Sequence, residues 1–158
     1  MQCIGFTLAG EYFGVDLQMV LEIIRPAPVV ALPNAPDFIH GVVNLRRGIL
    51  PVINIRKKLN LVQAGARTPG SRFLIFDIRG TAGCLAVDSV TGIQAATDPA
   101  DMNPSTSSPG DGSAPYLKGI LTVDDKQMKI LELTRIFDAE EQGQLETLGP
   151  SAQGLTHG

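Results

Sequence analysis

With 158 residues, 44% of them hydrophobic, 17 glycines, 11 prolines and no tryptophan, the chain has the composition of a turn-rich β protein, not of a helical bundle or a disordered polypeptide. A formal net charge of −3 gives bulk electrostatics no reason to favour nucleic acid or an anionic membrane surface. No apolar run approaches the ~20 residues of a membrane span, and no basic-then-apolar leader with a small-residue cleavage site opens the chain, so a cytoplasmic protein without direct membrane insertion is expected.

The first predicted elements are strands at residues 4–8 and 12–15 around an Ala9-Gly10-Glu11 turn. Asp16 reads as a helix N-cap, with Val15 and Val20 as a hydrophobic staple. Residues 17–24 then read as a short helix. Leu17, Val20, Leu21 and Ile24 form one apolar stripe, and Met19 and Ile23 add a second. A helix this apolar is expected to be wedged between two layers or offered to a partner. Pro26, Pro28, Pro33 and Pro36 exclude regular structure from residues 25–37, which read as a stiff connection ending in one helical turn over 36–39.

Residues 41–59, GVVNLRRGILPVINIRKKL, read as strand, tight turn, strand and the start of a helical turn over 57–61. Pro51 has no amide to donate, which predicts an edge strand or a bulge. A polar loop over 63–71 leads to strands at 72–78, 84–87 and 90–95. Residues 98–114, DPADMNPSTSSPGDGSA, form the most disorder-prone interior stretch, and their aspartates lack the spacing of a calcium loop. The earlier pattern then returns without a gap at residues 119–137, GILTVDDKQMKILELTRIF, at a constant offset of 78 from Gly41 to Gly119. Val42-Val43 matches Ile120-Leu121, Val52-Ile53 matches Ile130-Leu131, and Leu59 matches Phe137. Upstream, GVDLQMVLEII echoes LAVDSVTGI more weakly, which sets Asp16 and Asp88 in equivalent places. Two copies of one small β module are therefore predicted. Thr134 reads as the cap of a C-terminal helix reaching about residue 148, and 149–158 as a frayed tail.

No catalytic constellation emerges. His40 and His157 are the only histidines, and no His or Cys pair has metal-ligand spacing. Cys3 and Cys84 sit singly in apolar strands and read as buried thiols in a reducing compartment. There is no phosphate-binding Gly-rich loop and no nucleophile elbow, so neither enzyme, metal nor cofactor is expected. Arg46, Arg47, Arg56, Lys57 and Lys58 make a basic cluster, but few aromatics accompany it, leaving a small-barrel nucleic-acid binder as the different-class alternative. The Arg46-Arg47 turn stands where the second copy has Asp124-Asp125, a complementarity that favours head-to-tail contact between related modules.

Four segments carry a resemblance: FTLAGEYFGVDLQMVLEI, NAPDFIHGVVNLRRGILPVINIR, LAVDSVTGI and YLKGILTVDDKQMKILEL. Together they resemble the CheW family of coupling proteins of bacterial chemosensory arrays, from Phe6 to about Leu145. The resemblance implies a mainly β fold of two SH3-like five-stranded barrels sharing a core, with short helices and a C-terminal helix. It implies one domain over 1–148, with intertwined modules at roughly 2–61 and 72–137, and a flexible tail over 149–158. It further implies a non-enzymatic adaptor that binds the cytoplasmic signalling tip of a chemoreceptor (a methyl-accepting chemotaxis protein) and the regulatory domain of the histidine kinase CheA. Other CheW-like modules are further implied partners, and recruitment would be to receptor arrays at the inner face of the membrane. A related reading is a CheW-like scaffold serving pilus motility or a cyclic-dinucleotide output. Carried onto this chain, the receptor- and kinase-binding residues are Val20, Glu22, Ile23, Gly41 and Arg46, with Leu74 and Ile93 on the opposite wall. The chain departs from the family pattern at Arg47, where glycine is usual and Gly48 follows, at Asn54, where aspartate is usual, and around Met102-Asn103-Pro104. The Arg47 departure is expected to move the positive φ of the turn one residue on.

Overall fold

A computed structural model describes residues 2–61, 69–95, 102–103 and 116–136. Eleven strands appear among them: β1 (Gln2–Leu8), β2 (Glu11–Asp16), β3 (Val20–Ile24), β4 (Ile39–Leu45), β5 (Gly48–Ile53), β6 (Arg72–Ile78), β7 (Thr81–Val87), β8 (Ser89–Ala95), β9 (Met102–Asn103), β10 (Leu117–Val123) and β11 (Lys126–Leu131). Two single-turn helices, α1 (Ile55–Lys58) and α2 (Leu133–Ile136), follow β5 and β11. The strands make two mixed sheets, ordered β8-β1-β2-β11-β10-β9 and β3-β6-β7-β5-β4. The expected mainly β, two-barrel architecture is the one observed.

The two sheets are copies of one plan with strands exchanged. β1 to β3 recur as β6 to β8 at an offset of 70, from Phe6 to Phe76, and β4 to α1 recur as β10 to α2 at 78. Each third strand leaves its own hairpin for the other sheet. Val20 pairs with Phe76 in one sheet as Val90 pairs with Phe6 in the other, and each pairing carries a bulge at the same place. In that register the counterpart of Asp88 is Gln18, not Asp16. The equivalence drawn from GVD and AVD is two residues out.

The hairpins β1–β2 and β6–β7 are buried on both faces, which explains their nearly continuous apolar sequences. Ile4, Phe6 and Leu8 of β1 and Leu74, Phe76 and Ile78 of β6 alternate into one shared core with Phe38, Ile53, Leu117 and Leu131. Their other faces line separate interiors. One holds Phe73, Ile75, Val43, Val52 and Cys84, and the other Cys3, Leu121, Met128 and Ile130. Both thiols are free and buried. Burial raises the Cys84 thiol to about 12. Its proton is therefore held by the folded chain alone between the ordinary thiol value and about 12, so this site's contribution to stability falls as pH rises through that window. At pH 8 a thiol reagent should leave Cys84 unmodified in the native protein and label it after denaturation; fast native labelling would contradict its burial.

Three local expectations are corrected. Residues 17–24 are not a helix: Asp16 does cap, accepting the Gln18 amide at 2.9 Å, but the 3-10 turn Leu17–Met19 ends there and Val20–Ile24 is strand. Pro51 is not on an edge, since β5 lies between β4 and β7; the alternative of a bulge is met beside it, where the β4–β5 register shifts between Ile39 and Gly41. Pro51 stands opposite Val42, whose amide and carbonyl turn away to Val30 at 2.9 and 2.8 Å, so no ladder bond is asked of it on that side. On the other side pairing begins at Val52. Thr134 is the second residue of α2, where its hydroxyl donates to Glu132, so it does not cap a helix. The rest of the expected C-terminal helix, most of the 98–114 loop and the 149–158 tail lie outside the described residues. Met102-Asn103 pairs with β10 as a short edge strand.

Candidate functional site

Strand β3 is the edge of its sheet, and its alternation sorts its side chains. Glu22 pairs with Ile75 and Ile24 with Phe73 on the face of the small interior. Ile23 points the other way with its partner Leu74, and Leu21 is the extra residue of the bulge; they remain 41% and 42% exposed, the apolar surface at this edge. The sheet curls until the β4–β5 turn faces β3. Glu22, Ile24, Leu45, Arg46, Arg47 and Ile75 then line a cleft of about 310 Å³, with apolar side chains below and three charged ones above.

The turn supplies those charges through its own geometry. The positive φ of 122° falls on Gly48 and neither arginine is left-handed, as the displaced glycine predicts. The second copy's turn is built differently, with Asp124 and Asp125 at φ 49° and 64°. From its position Arg47 reaches across the cleft, and its Nε donates to Glu22 Oε2 at 3.2 Å. Arg46 is exposed and makes no ion pair among the described residues.

The expected site residues fall into three groups. Val20, Glu22 and Ile23 share β3, with Arg46 brought to Glu22 by the curl of the sheet. Leu74 is the strand partner of Ile23 but is fully buried, and Gly41 is buried beneath the backbone of Val30. Ile93 lies on β8 of the other sheet, 57% exposed and opposite Ile4, where it is the counterpart of Ile23. The cleft-floor residues Ile24, Leu45 and Ile75 were not singled out in the sequence. The alternation of β3 held the signal, but the helical reading hid it.

The basic cluster of the sequence is dispersed. Arg56 pairs with Asp88, Lys57 lies 3.6 Å from Asp37, and Lys58 sits over the Phe38 ring at 5.0 Å. Burial, and then the charge of Arg56, push His40 below the usual imidazole value, so it adds no cation at neutral pH. No contiguous basic stripe interleaved with aromatics forms among the described residues. Asn54, in place of the usual aspartate, caps α1 by accepting the Lys57 amide at 3.2 Å. No group of three His, Cys, Asp or Glu side chains converges as a metal site among the described residues, and no helix there is long and apolar enough to cross a membrane.

Comparison with known proteins places this architecture. The CheW-like domain family matches residues 2–141. The probable chemotaxis protein CheW of Rhizobium etli is 30% identical over 142 residues, covering 89% of each chain. Protein FrzA of Myxococcus xanthus is also 30% identical, covering 87% of this chain and 85% of its own. The crystal structure of the scaffolding protein TtCheW from Thermoanaerobacter tengcongensis superposes with a TM-score of 0.76 at 30% identity, covering 89% of each chain.

Proposed function

The chain belongs to the CheW-like domain family, and from that premise we propose that it couples the cytoplasmic tips of chemoreceptors to the histidine kinase CheA. It is an adaptor and not an enzyme, so its chemistry is surface complementarity. The observation that carries the reading is the β3 edge, where Leu21 and Ile23 stay uncovered beside the charged mouth formed by Glu22 and Arg46. An apolar strip next to fixed charges suits an amphipathic helix, whose apolar face lies on the strip while its polar flank meets the charges. Val20, Glu22, Ile23 and Arg46 form the contact surface in this proposal. Gly41 and Leu74 support it from below, and Ile93 offers the equivalent edge of the second sheet. The kinase's regulatory domain and related modules are the partners at the barrel ends. We further propose that residues 1–148 act as one domain, in the cytoplasm against receptor arrays.

The test is co-sedimentation of the chain and the kinase with receptor-bearing membranes. The wild-type chain should carry kinase into the pellet, and failure to form any ternary complex would remove the coupling role. Glu22→Lys should weaken capture by about tenfold, because it breaks the Arg47–Glu22 pair and leaves three mutually repelling cations disordered at the mouth where the partner docks. Glu22 is 48% exposed in its side chain, so stability should change by no more than about 0.5 kcal/mol. A large fall in melting temperature would instead assign Glu22 to the fold. A second reading is a CheW-like scaffold that serves a non-flagellar chemosensory pathway. Deleting the gene and scoring swimming against surface motility separates the two.

A further inference from the structure

Two arginines and one glutamate meet at the cleft mouth, and the duplicated half of the chain acts as an internal control for what they do. In the second sheet the counterpart of Glu22 is Gly92, paired with Gly5 as Glu22 is paired with Ile75. The counterparts of Arg46-Arg47 are Asp124-Asp125. No carboxylate–guanidinium clasp can form there, yet the strand order β8-β1-β2-β11-β10 mirrors β3-β6-β7-β5-β4. The clasp is therefore no requirement of the fold. It is a weak stabiliser as well: the two side chains are 45% and 48% exposed, and water screens exposed pairs.

What the clasp does change is the charge offered to a partner. With Arg47 holding Glu22, the carboxylate is satisfied and the Arg46 guanidinium stays available. The mouth carries one net positive charge above the apolar floor of Ile24, Leu45 and Ile75. A docked helix would shed water from this floor, and a charge pair formed beside it would gain strength from the lowered dielectric. A carboxylate on that helix has a donor waiting. A lysine or arginine there meets repulsion from Arg46 and a glutamate already occupied. A glycine at position 47 would leave Glu22 open to Arg46 across the same cleft and cancel the preference.

We infer that Arg47 is a specificity-determining residue: by clasping Glu22 it frees Arg46 to bind a carboxylate, so the cleft selects receptor-tip helices that are acidic at this contact over those that are basic. The inference rests on the coupling reading, and the experiment separates the two. The full chain is titrated with a soluble receptor-tip fragment across a salt series. Arg47→Glu should weaken binding about tenfold and flatten the salt dependence. The charge swap Glu22→Arg with Arg47→Glu, which rebuilds the clasp reversed, should recover binding to within about twofold. Arg79→Glu, an equal change of net charge at the exposed β6–β7 turn, should leave affinity unchanged. Should Arg47→Glu disturb folding, Arg47→Gly replaces it, with the same direction expected. Wild-type affinity and salt slope in the Arg47 variants, no recovery in the swap, or an equal loss in Arg79→Glu would each overturn the inference while leaving the coupling role standing. No binding of the tip by the wild-type chain would overturn the coupling reading itself, and this inference with it.

Discussion

Gly41→Ala should destabilise the protein by about 3 kcal/mol, whereas Gly80→Ala should cost only about 1 kcal/mol, although both glycines have positive φ. The difference is in what surrounds them. A Cβ at Gly80 meets nothing within 4 Å, so its cost is that of the left-handed backbone at φ 85° alone. A Cβ at Gly41 would lie 2.8 Å from the Val30 carbonyl carbon, closer still to its oxygen, and 3.0 Å from Ala31 Cα. Every one of these is a main-chain atom, so no rotamer change relieves the clash. The proline-rich connection would have to lift, breaking the Val30 amide bond to Val42 at 2.8 Å and the reciprocal bond at 2.9 Å. Lifting would also uncover the small cluster of Val42, Ile49 and Leu32. Overpacking at about 1–3 kcal/mol and two hydrogen bonds at about 0.5–1.5 kcal/mol each bracket the expected value. Urea denaturation of the two variants measures it, and a loss in Gly41→Ala no larger than in Gly80→Ala would mean that the 29–31 segment does not lie on β4. The result also bears on the site: binding lost through Gly41 should follow stability, and binding lost through Glu22 should not.

How much of this was legible in the sequence depended on how far each pairing reaches along the chain. The 78-residue repeat survives in the fold because each copy is a local hairpin, whose turn and alternation are fixed by adjacent residues. Residues 17–24 were misread because VLEII satisfies a helical stripe as readily as a strand. What decides it is β6, some fifty residues away, whose free edge pairs with it. Pro51 was misplaced for a related reason, since the segment that takes up the hydrogen bonds of Val42 is a separate connection. Among the cleft residues, Glu22 and Arg46 were legible through the motif they sit in. That Arg47 holds Glu22 was not, because it depends on the sheet curling its edge strand toward the β4–β5 turn. Leu74 and Gly41 carry the opposite lesson: a residue marked by its motif can stand beneath a surface instead of on it.

Removing Asp88 should be the costliest loss of a single polar side chain, at about 2–3 kcal/mol. Sequence alone offered it as a duplicated cap, but its position makes it a junction. One carboxylate oxygen accepts the Ala9 amide of the β1–β2 turn at 2.9 Å, and the other takes the Arg56 guanidinium of α1. Its own amide donates to Thr7 at 2.9 Å, and the neighbouring Ser89 hydroxyl is 2.6 Å from that of Thr7. One side chain thus ties the first hairpin, the helix after β5 and the bend between β7 and β8, segments far apart in the chain. The exposures decide the magnitude. Arg56 is 14% and Asp88 33% exposed, between the exposed pairs that contribute about 0–1 kcal/mol and the buried ones whose breaking costs about 3–5. Asp88→Ala leaves a left-handed turn amide and a largely covered guanidinium without this partner, and so should fall near the middle. Asp88→Asn keeps an oxygen for Ala9 and should lose about half as much. A double-mutant cycle with Arg56→Ala should give a coupling of about 1–2 kcal/mol that changes little with salt, unlike the solvent-exposed Glu22–Arg47 pair, whose coupling salt should erase. The pseudo-symmetric positions of Asp88 and Arg56 are Gln18 and Thr134, which cannot form an ion pair. Among the described residues the junction is therefore single, with no pseudo-symmetric copy to stand in for it. A cycle showing no coupling, or one as salt-sensitive as that of Glu22 and Arg47, would return Asp88 to the role of an ordinary surface aspartate.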